Sequence, residues 1–318
     1  MPILGDQPLT PSTMFIDFKN TLFVLLILLG FGSPGWAAPE IRHSYLVLGN
    51  KTAIIAEDGN VEWEYAGGTR DGFVLPNGNV LLAYTDRVVE VTREKQVVFT
   101  YQRSKENKEI GTTERLANGN TLITEEGVKP RLMEVNPQGE VVVDFPLQPE
   151  TDNAHMQTRM ARKLMNGNYL VPHLLAFAIK EYRSDGQVVQ TLKTDLEEIG
   201  GRKVGNWPFT AIRLENGNTL TTLTNGLKVV ELDAQGAVVW KVTTDEVAGL
   251  LRDPCGAQRL ANGNTVVGSH GANKGVSIIE LTREKEMVWK SDHPFAASVH
   301  HLQILTTNGQ AEPGRPLR

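Results

Sequence analysis

The chain has 318 residues, a formal net charge of −5, 40% hydrophobic residues, 30 glycines and a single cysteine, Cys255. A pI near 5.9 and an acidic balance argue against a phosphate-backbone partner, so nucleic acid is excluded as a target. One cysteine permits no intramolecular disulfide.

The first feature in chain order is a leader. Lys19 precedes an apolar run from Leu22 to Leu29, followed by small residues up to Ala37-Ala38. The run is too short for a bilayer span and suits the apolar region of a secretory signal. Residues 1–38 are therefore expected to be a signal peptide, with Met14 as an alternative start and cleavage after Ala37 or Ala38. No cysteine lies near that site, which excludes a lipoprotein. The mature chain is expected to be secreted or periplasmic without stable membrane insertion; an uncleaved leader acting as an anchor is the alternative.

From residue 44 onward the chain is a succession of hairpin signals. AIIAEDGNVEW (Ala53 to Trp63) alternates apolar residues on either side of a polar turn, the pattern of two antiparallel strands. Five copies of a second hairpin follow: LPNGNVLL from Leu75, LANGNTLI from Leu116, LMNGNYLV from Leu164, LENGNTLT from Leu214 and LANGNTVV from Leu260. Two of them extend to the same heptapeptide, RLANGNT, at Arg115 to Thr121 and Arg259 to Thr265. A degenerate sixth copy near the C-terminus keeps only Asn308-Gly309. Asn-Gly accepts positive φ at both central positions of a type I′ turn, so each copy is expected to be a tight two-residue hairpin.

Between the NGN copies lie the outer hairpins VEVTREKQVVF (Val89 to Phe99), MEVNPQGEVVV (Met133 to Val143), KEYRSDGQVV (Lys180 to Val189), VVELDAQGAVVW (Val229 to Trp240) and IELTREKEMVW (Ile279 to Trp289). The first asparagines of the NGN series recur at spacings of 41, 48, 50, 46 and 46 residues. Four strands per period of about 40 to 50 residues, with no long helical pattern, is the signature of a β-propeller.

Six outer hairpins stand against five complete inner ones, and the chain ends account for the difference. Residues 44–65 carry three strands and lack the first, which His301 to Leu305 can supply. The expected fold is all-β: a six-bladed β-propeller over residues 39–310, four antiparallel strands per blade, the last blade closed by N- and C-terminal strands in a 3+1 arrangement. Closure removes two sheet edges that would otherwise pair with other chains. Residues 311–318, with two prolines and no alternation, are expected to form a tail without a strand.

In such a blade the NGN turns mark one face, expected to be structural, and the ends of the inner strands opposite them mark the other. Five of the seven histidines fall in those opposite positions: His155, His173, His270, His300 and His301. Asp71, Glu125, Arg159 and Trp207 occupy equivalent places. His173, His270, His300 and His301 are the candidate catalytic residues, and Arg159, His155, Asp71, Glu125 and Trp207 the candidate substrate-binding ones. His173, His270, His301 and Arg159 are expected to converge in one pocket. An imidazole there serves as nucleophile or general base, with arginine holding an anionic group. A divalent metal held by His173, His270 and His301 is an alternative, one that no local ligand spacing such as H-x-x-x-H supports.

The pairing of L-x-N-G-N-T-L with V-x-E-V-x-x-x-G-x-V-V-W resembles the repeats of secreted bacterial propellers grouped with arylsulfotransferases and with pyrroloquinoline-quinone-type propellers. The arylsulfotransferase resemblance implies a channel histidine that accepts a sulfuryl group, with His300 or His301, His173, His270 and Arg159 as its matching positions. The quinone propellers carry G-x-x-x-W in their outer turns, which survives in full only at Gly59 to Trp63 and Gly236 to Trp240. No quinone and no other cofactor is expected. The leading expectation is a small molecule or carbohydrate bound at the channel mouth. An arylsulfotransferase-like or lyase-type enzyme and a protein-interaction scaffold are the alternatives, and no oligomeric state follows from the residues.

Overall fold

The computed structural model describes residues 40–318; the expected signal peptide, residues 1–38, lies outside the described residues. Six sheets are arranged as a six-bladed β-propeller. Blade 1 comprises Asp71–Val74, Val80–Ala83, Arg87–Val91 and Val97–Gln102. Blade 2 comprises Asn107–Arg115, Thr121–Gly127, Arg131–Val135 and Val141–Pro146. Blade 3 has Arg162–Lys163, Tyr169–His173, Ala178–Tyr182 and Val188–Lys193. Blade 4 has Pro208–Arg213, Thr219–Leu223, Lys228–Leu232 and Val238–Thr243. Blade 5 has Pro254–Arg259, Thr265–Asn273, Val276–Leu281 and Met287–Ser291. Among the described residues no helix is long and apolar enough to cross a membrane.

Blade 6 closes the ring as expected. Its strand Val299–Thr307 pairs antiparallel with His43–Gly49, placing Tyr45 opposite Ile304, Val47 opposite Leu302 and Leu48 opposite His301. Thr52–Ile55 and Val61–Tyr65 complete the blade. The expectation of a tail without a strand is corrected: Gln310–Ala311 pairs with Thr306 and Thr307 as a short fifth strand. The reversal at Asn308-Gly309 returns the chain along the free edge of Val299–Thr307 before Pro313 can interrupt it.

The core is a ring of seams. Phe73, Leu81 and Val88 of blade 1 pack with Ile110, Ile123 and Met133 of blade 2, whereas Leu82, next to Leu81, packs with Leu46 and Ile54 of blade 6. Alternate side chains of one strand thus bury in two different seams, which is why the inner strands read as unbroken apolar runs.

The NGN turns correct a second expectation. In the five complete copies only the glycine has positive φ, from +85° to +88°. Leu75 N–H bonds to Asn79 C=O at 2.8 Å and Gly78 N–H to Leu75 C=O at 2.8 Å, and the other copies repeat this pairing. Three residues are looped out with glycine in the left-handed position, the bulged three-residue hairpin rather than the two-residue type I′ form. The degenerate copy has the I′ signature instead, with Asn308 at φ 50° and Gly309 at φ 79°. Nothing stands within 4 Å of a Cβ added at Gly263, so Gly263→Val tests backbone strain alone. We expect it to cost about 1 to 3 kcal/mol, read as a lower urea midpoint; an unchanged midpoint would show that the turn tolerates the substitution.

The second asparagine has a further task. Its side-chain N–H donates to a glutamate on the third strand of its own blade: Asn79 to Glu90 at 2.6 Å, Asn120 to Glu134 at 2.9 Å, Asn168 to Glu181 at 2.7 Å, Asn218 to Glu231 at 2.7 Å and Asn264 to Glu280 at 2.7 Å. Each of these buried carboxylates also takes a base from the next blade: Arg115, Lys163, Arg213, Arg259 and His43 respectively. The repeated arginine of RLANGNT is one half of an interblade clasp, and the glutamate of V-x-E-V is the other.

Candidate functional site

The inner strands begin at the channel end opposite the NGN turns, and the segments leading into them bring charged and aromatic side chains together. Arg70, from the segment before blade 1, pairs with Glu109 of blade 2. His155, on the short turn before blade 3, lies with its Nδ1 3.2 Å from the Glu109 carboxylate. Arg159, 3% exposed, stands 3.9 Å from Glu109 and 3.8 Å from Glu126. Its guanidinium lies 5.9 Å from the ring centre of Phe209 at the start of blade 4. Phe209 is nearly parallel to His300 at 6.3 Å, and His300 stacks on His270 at 4.9 Å. A row of Arg159, Phe209, His300 and His270 therefore crosses from blade 3 to blades 5 and 6, and Asp253 stands 4.0 Å from His270.

The electrostatics follow from burial. Glu126 is fully buried, and burial pushes its carboxyl up to about 8 even though Arg159 and Arg70 oppose the shift. Among the described residues its Oε2 has no hydrogen-bond partner. For Glu109 burial also acts upward but is outweighed by hydrogen bonds from His155 and Arg70, which hold it at about 2. His300 is driven down to about 3 by burial and by the nearby His270, Arg70 and Arg159, and its buried Nδ1 has no partner among the described residues. Burial and Asp253 push the Cys255 thiol up to about 12, so it is held as a thiol.

Of the residues expected from sequence, His155, Arg159, His270 and His300 are brought together. The expected convergence fails for His173 and His301. His173 is fully buried inside blade 3, its Nε2 2.8 Å from the Tyr182 hydroxyl. His301 lies within the channel, where its Nδ1 accepts from the Leu302 amide at 2.8 Å and from Arg318 at 3.2 Å. Asp71 is likewise internal and accepts both Arg162 guanidinium nitrogens, at 2.8 and 3.0 Å. Glu125 is taken up by Tyr101, Ser104, Asn107 and Arg131 within blades 1 and 2. Trp207 is half-buried, and its carbonyl accepts from the Thr224 amide at 3.0 Å.

Arg70, Glu109, Glu126 and Phe209 are not among the candidate residues, although Glu126 and Phe209 fall in the same strand-end positions, beside Glu125 and Trp207. Glu126 differs from Glu125 only in strand parity, and Glu109 is reached because the inner strand of blade 2 begins early, at Asn107. Among the described residues no group of three or more His, Cys, Asp or Glu side chains is arranged to hold a metal ion.

These features define a six-bladed propeller with a polar, aromatic-lined channel mouth. The chain belongs to the Mal s 1 allergenic protein-like family, whose model matches residues 52–260. No curated protein matches it. Among solved structures it is similar to a protein of unknown function from Bacteroides caccae, at 23% identity and a TM-score of 0.71, covering 82% of this chain and 98% of that one. It is also similar to a streptogramin B lyase at 11% identity and a TM-score of 0.56, covering 79% and 83%. A catalytically inactive virginiamycin B lyase from Staphylococcus aureus, solved with quinupristin, aligns at 12% identity and a TM-score of 0.54, covering 80% and 75%. At these identities the likeness is one of fold.

Proposed function

We propose that the protein is an exported propeller that binds a small anionic molecule carrying a flat ring at the channel mouth formed by Arg70, Arg159, Phe209, His270 and His300. The observation that supports this reading is the buried Arg159 guanidinium, placed between two carboxyls of unlike protonation and facing an aromatic row. With Glu126 raised to about 8, the Arg70–Arg159 end of the row holds two guanidiniums against one ionised carboxylate, Glu109, at neutral pH. An excess of positive charge there favours an anion, and Phe209 with the two imidazoles offers a stacking surface. The leader at residues 1–38 supports export.

A second reading, an acid–base enzyme of lyase or group-transfer type, is favoured by one observation. Glu126 retains its proton at neutral pH while His300 has lost its own, so one cluster holds a protonated acid and a free imidazole base.

Calorimetric titration with aryl carboxylates, aryl sulfates and their neutral amides tests both. The anions are expected to bind and the amides not. Arg70→Gln is expected to weaken binding at least tenfold with little change in melting. Glu126 has its folded pKa raised, so the protonated form is favoured below about pH 8 and lost above it. Anion affinity is accordingly expected to fall as pH rises through about 8. Equal affinity for anions and amides would overturn the binding reading, and turnover undiminished in His300→Ala would overturn the enzymatic one.

A further inference from the structure

The C-terminal segment lies at the NGN end of the channel. After the short strand Gln310–Ala311, the chain runs into the channel from that end. The Glu312 amide donates to the Leu305 carbonyl at 2.9 Å, and the Arg259 amide to the Leu317 carbonyl at 2.9 Å. Arg315 pairs with Glu114 and donates to the Lys163 carbonyl at 3.0 Å. Leu317 packs on the seam of blades 4 and 5.

Arg318 is the anchor and is 2% exposed. Its Nη1 donates to the Leu302 carbonyl at 2.6 Å, and its guanidinium lies 3.7 Å from the Phe73 ring centre and 3.8 Å from Asp71. The Arg318 carbonyl in turn accepts from Arg162 at 2.8 Å. Beside this segment a cleft of about 980 Å³ remains, lined by turns of blades 3, 4 and 5 and by the segment itself.

We propose that the NGN end of the channel is a peptide-binding cleft for an extended basic segment with an arginine anchor, and that residues 312–318 occupy it in cis as a displaceable plug. The contacts have the form of strand-edge peptide recognition. Main-chain bonds to the edges of inner strands hold the segment, while an arginine seated on an aromatic face and a carboxylate sets selectivity. The channel-facing edges of the inner strands offer the unpaired groups such a segment needs.

Displacement is within reach because the anchor is imperfectly satisfied. Arg318 shares the carboxylate of Asp71 with Arg162, and its Nε and Nη2 have no hydrogen-bond partner among the described residues. Burial lowers its guanidinium to about 9, the mark of a charge whose desolvation is only partly offset. A segment tethered to its own site acts at an effective concentration of about 1 mM. If the free segment binds at about 10 μM, the plug masks the site against an added peptide about 100-fold.

The test uses the full chain and a fluorescein-labelled peptide with the sequence of residues 312–318. Arg318→Glu is expected to release the plug and to bind the peptide about 100-fold more tightly than the unsubstituted chain. Changing the last arginine of the peptide to alanine is expected to abolish that binding. By hydrogen exchange, the Arg259 amide is expected to be protected in the unsubstituted chain, exposed in Arg318→Glu, and protected again by peptide. Equal peptide affinity in both chains, no binding to either, or binding indifferent to the terminal arginine overturns the proposal. Should Arg318→Glu fold poorly, Arg318→Ala carries the same comparison.

Discussion

A chain lacking residues 299–318 is expected to show no cooperative melting transition. The strand it loses, Val299–Thr307, pairs with His43–Gly49 from His43 through Gly49 and is, among the described residues, the strand ladder that joins the two ends of the ring. Val299, Leu302 and Ile304 are buried in the seam with Tyr45, Val47 and the blade 5 residues Val266 and Ile278. Burial of three aliphatic side chains contributes about 1.5 to 3 kcal/mol each, and the lost ladder adds to that. The sum is comparable to the whole net stability of a domain, about 5 to 15 kcal/mol. Removing residues 312–318 alone leaves the seam intact, and a cooperative transition is expected to survive with a lower midpoint. Scanning calorimetry of the two truncations decides; if both melt alike, the ring is not held by this seam.

Glu231→Ala is expected to lower stability by about 3 to 5 kcal/mol. Its carboxylate, 1% exposed, accepts from Asn218 at 2.7 Å and holds Arg259 at 3.6 Å and Arg283. Arg259 is mostly buried, so removing the carboxylate leaves a guanidinium without its counter-charge. Glu231→Gln is expected to cost less, because an amide oxygen still accepts from Asn218. The pH dependence has a definite sign. Burial acts to raise the Glu231 carboxyl, but hydrogen bonds from Asn218 and Arg283 outweigh it and leave it below the ordinary value of 4.5. Glu134 and Glu280 are lowered by the same balance. Their contribution is therefore present above about pH 4.5 and lost as pH falls through the lower folded values. Urea midpoints of the unsubstituted chain and Glu231→Ala should converge as pH falls through the lowered folded value of Glu231. A gap that persists there would assign the stability to packing instead of the ionised clasp.

The parts of the fold legible from sequence are those set within a dozen residues. The NGN period, the alternation around each polar turn and the missing first strand of residues 44–65 together specify six blades and their closure. Glycine marks the left-handed position of every inner turn, although the loop has three residues where two were expected. The form changes because Leu75 pairs with Asn79 while the first asparagine stays out of the left-handed region and uses its side chain to accept from the second, Asn77 Oδ1 from the Asn79 amide at 3.0 Å. The reason for seven identical residues is only half local. Gly119 serves its own turn, whereas Arg115 reaches Glu90 in the preceding blade and Asn120 reaches Glu134.

The site was legible as a region and not as a set of side chains. His155, Arg159, His270 and His300 meet at one channel end, but His301, one residue on, meets Arg318 instead, and Glu126 joins the cluster while Glu125 serves the loop before blade 2. By itself the sequence determined the period, the positions of the turns, the number of blades and the end of the channel at which polar residues collect, because these depend on neighbours along the chain. Tertiary structure alone decided which of two adjacent side chains faces which surroundings. A slip of one residue exchanges the two faces of a strand, and that parity is set by pairing across the ring, as where Leu48 opposite His301 fixes the closing register.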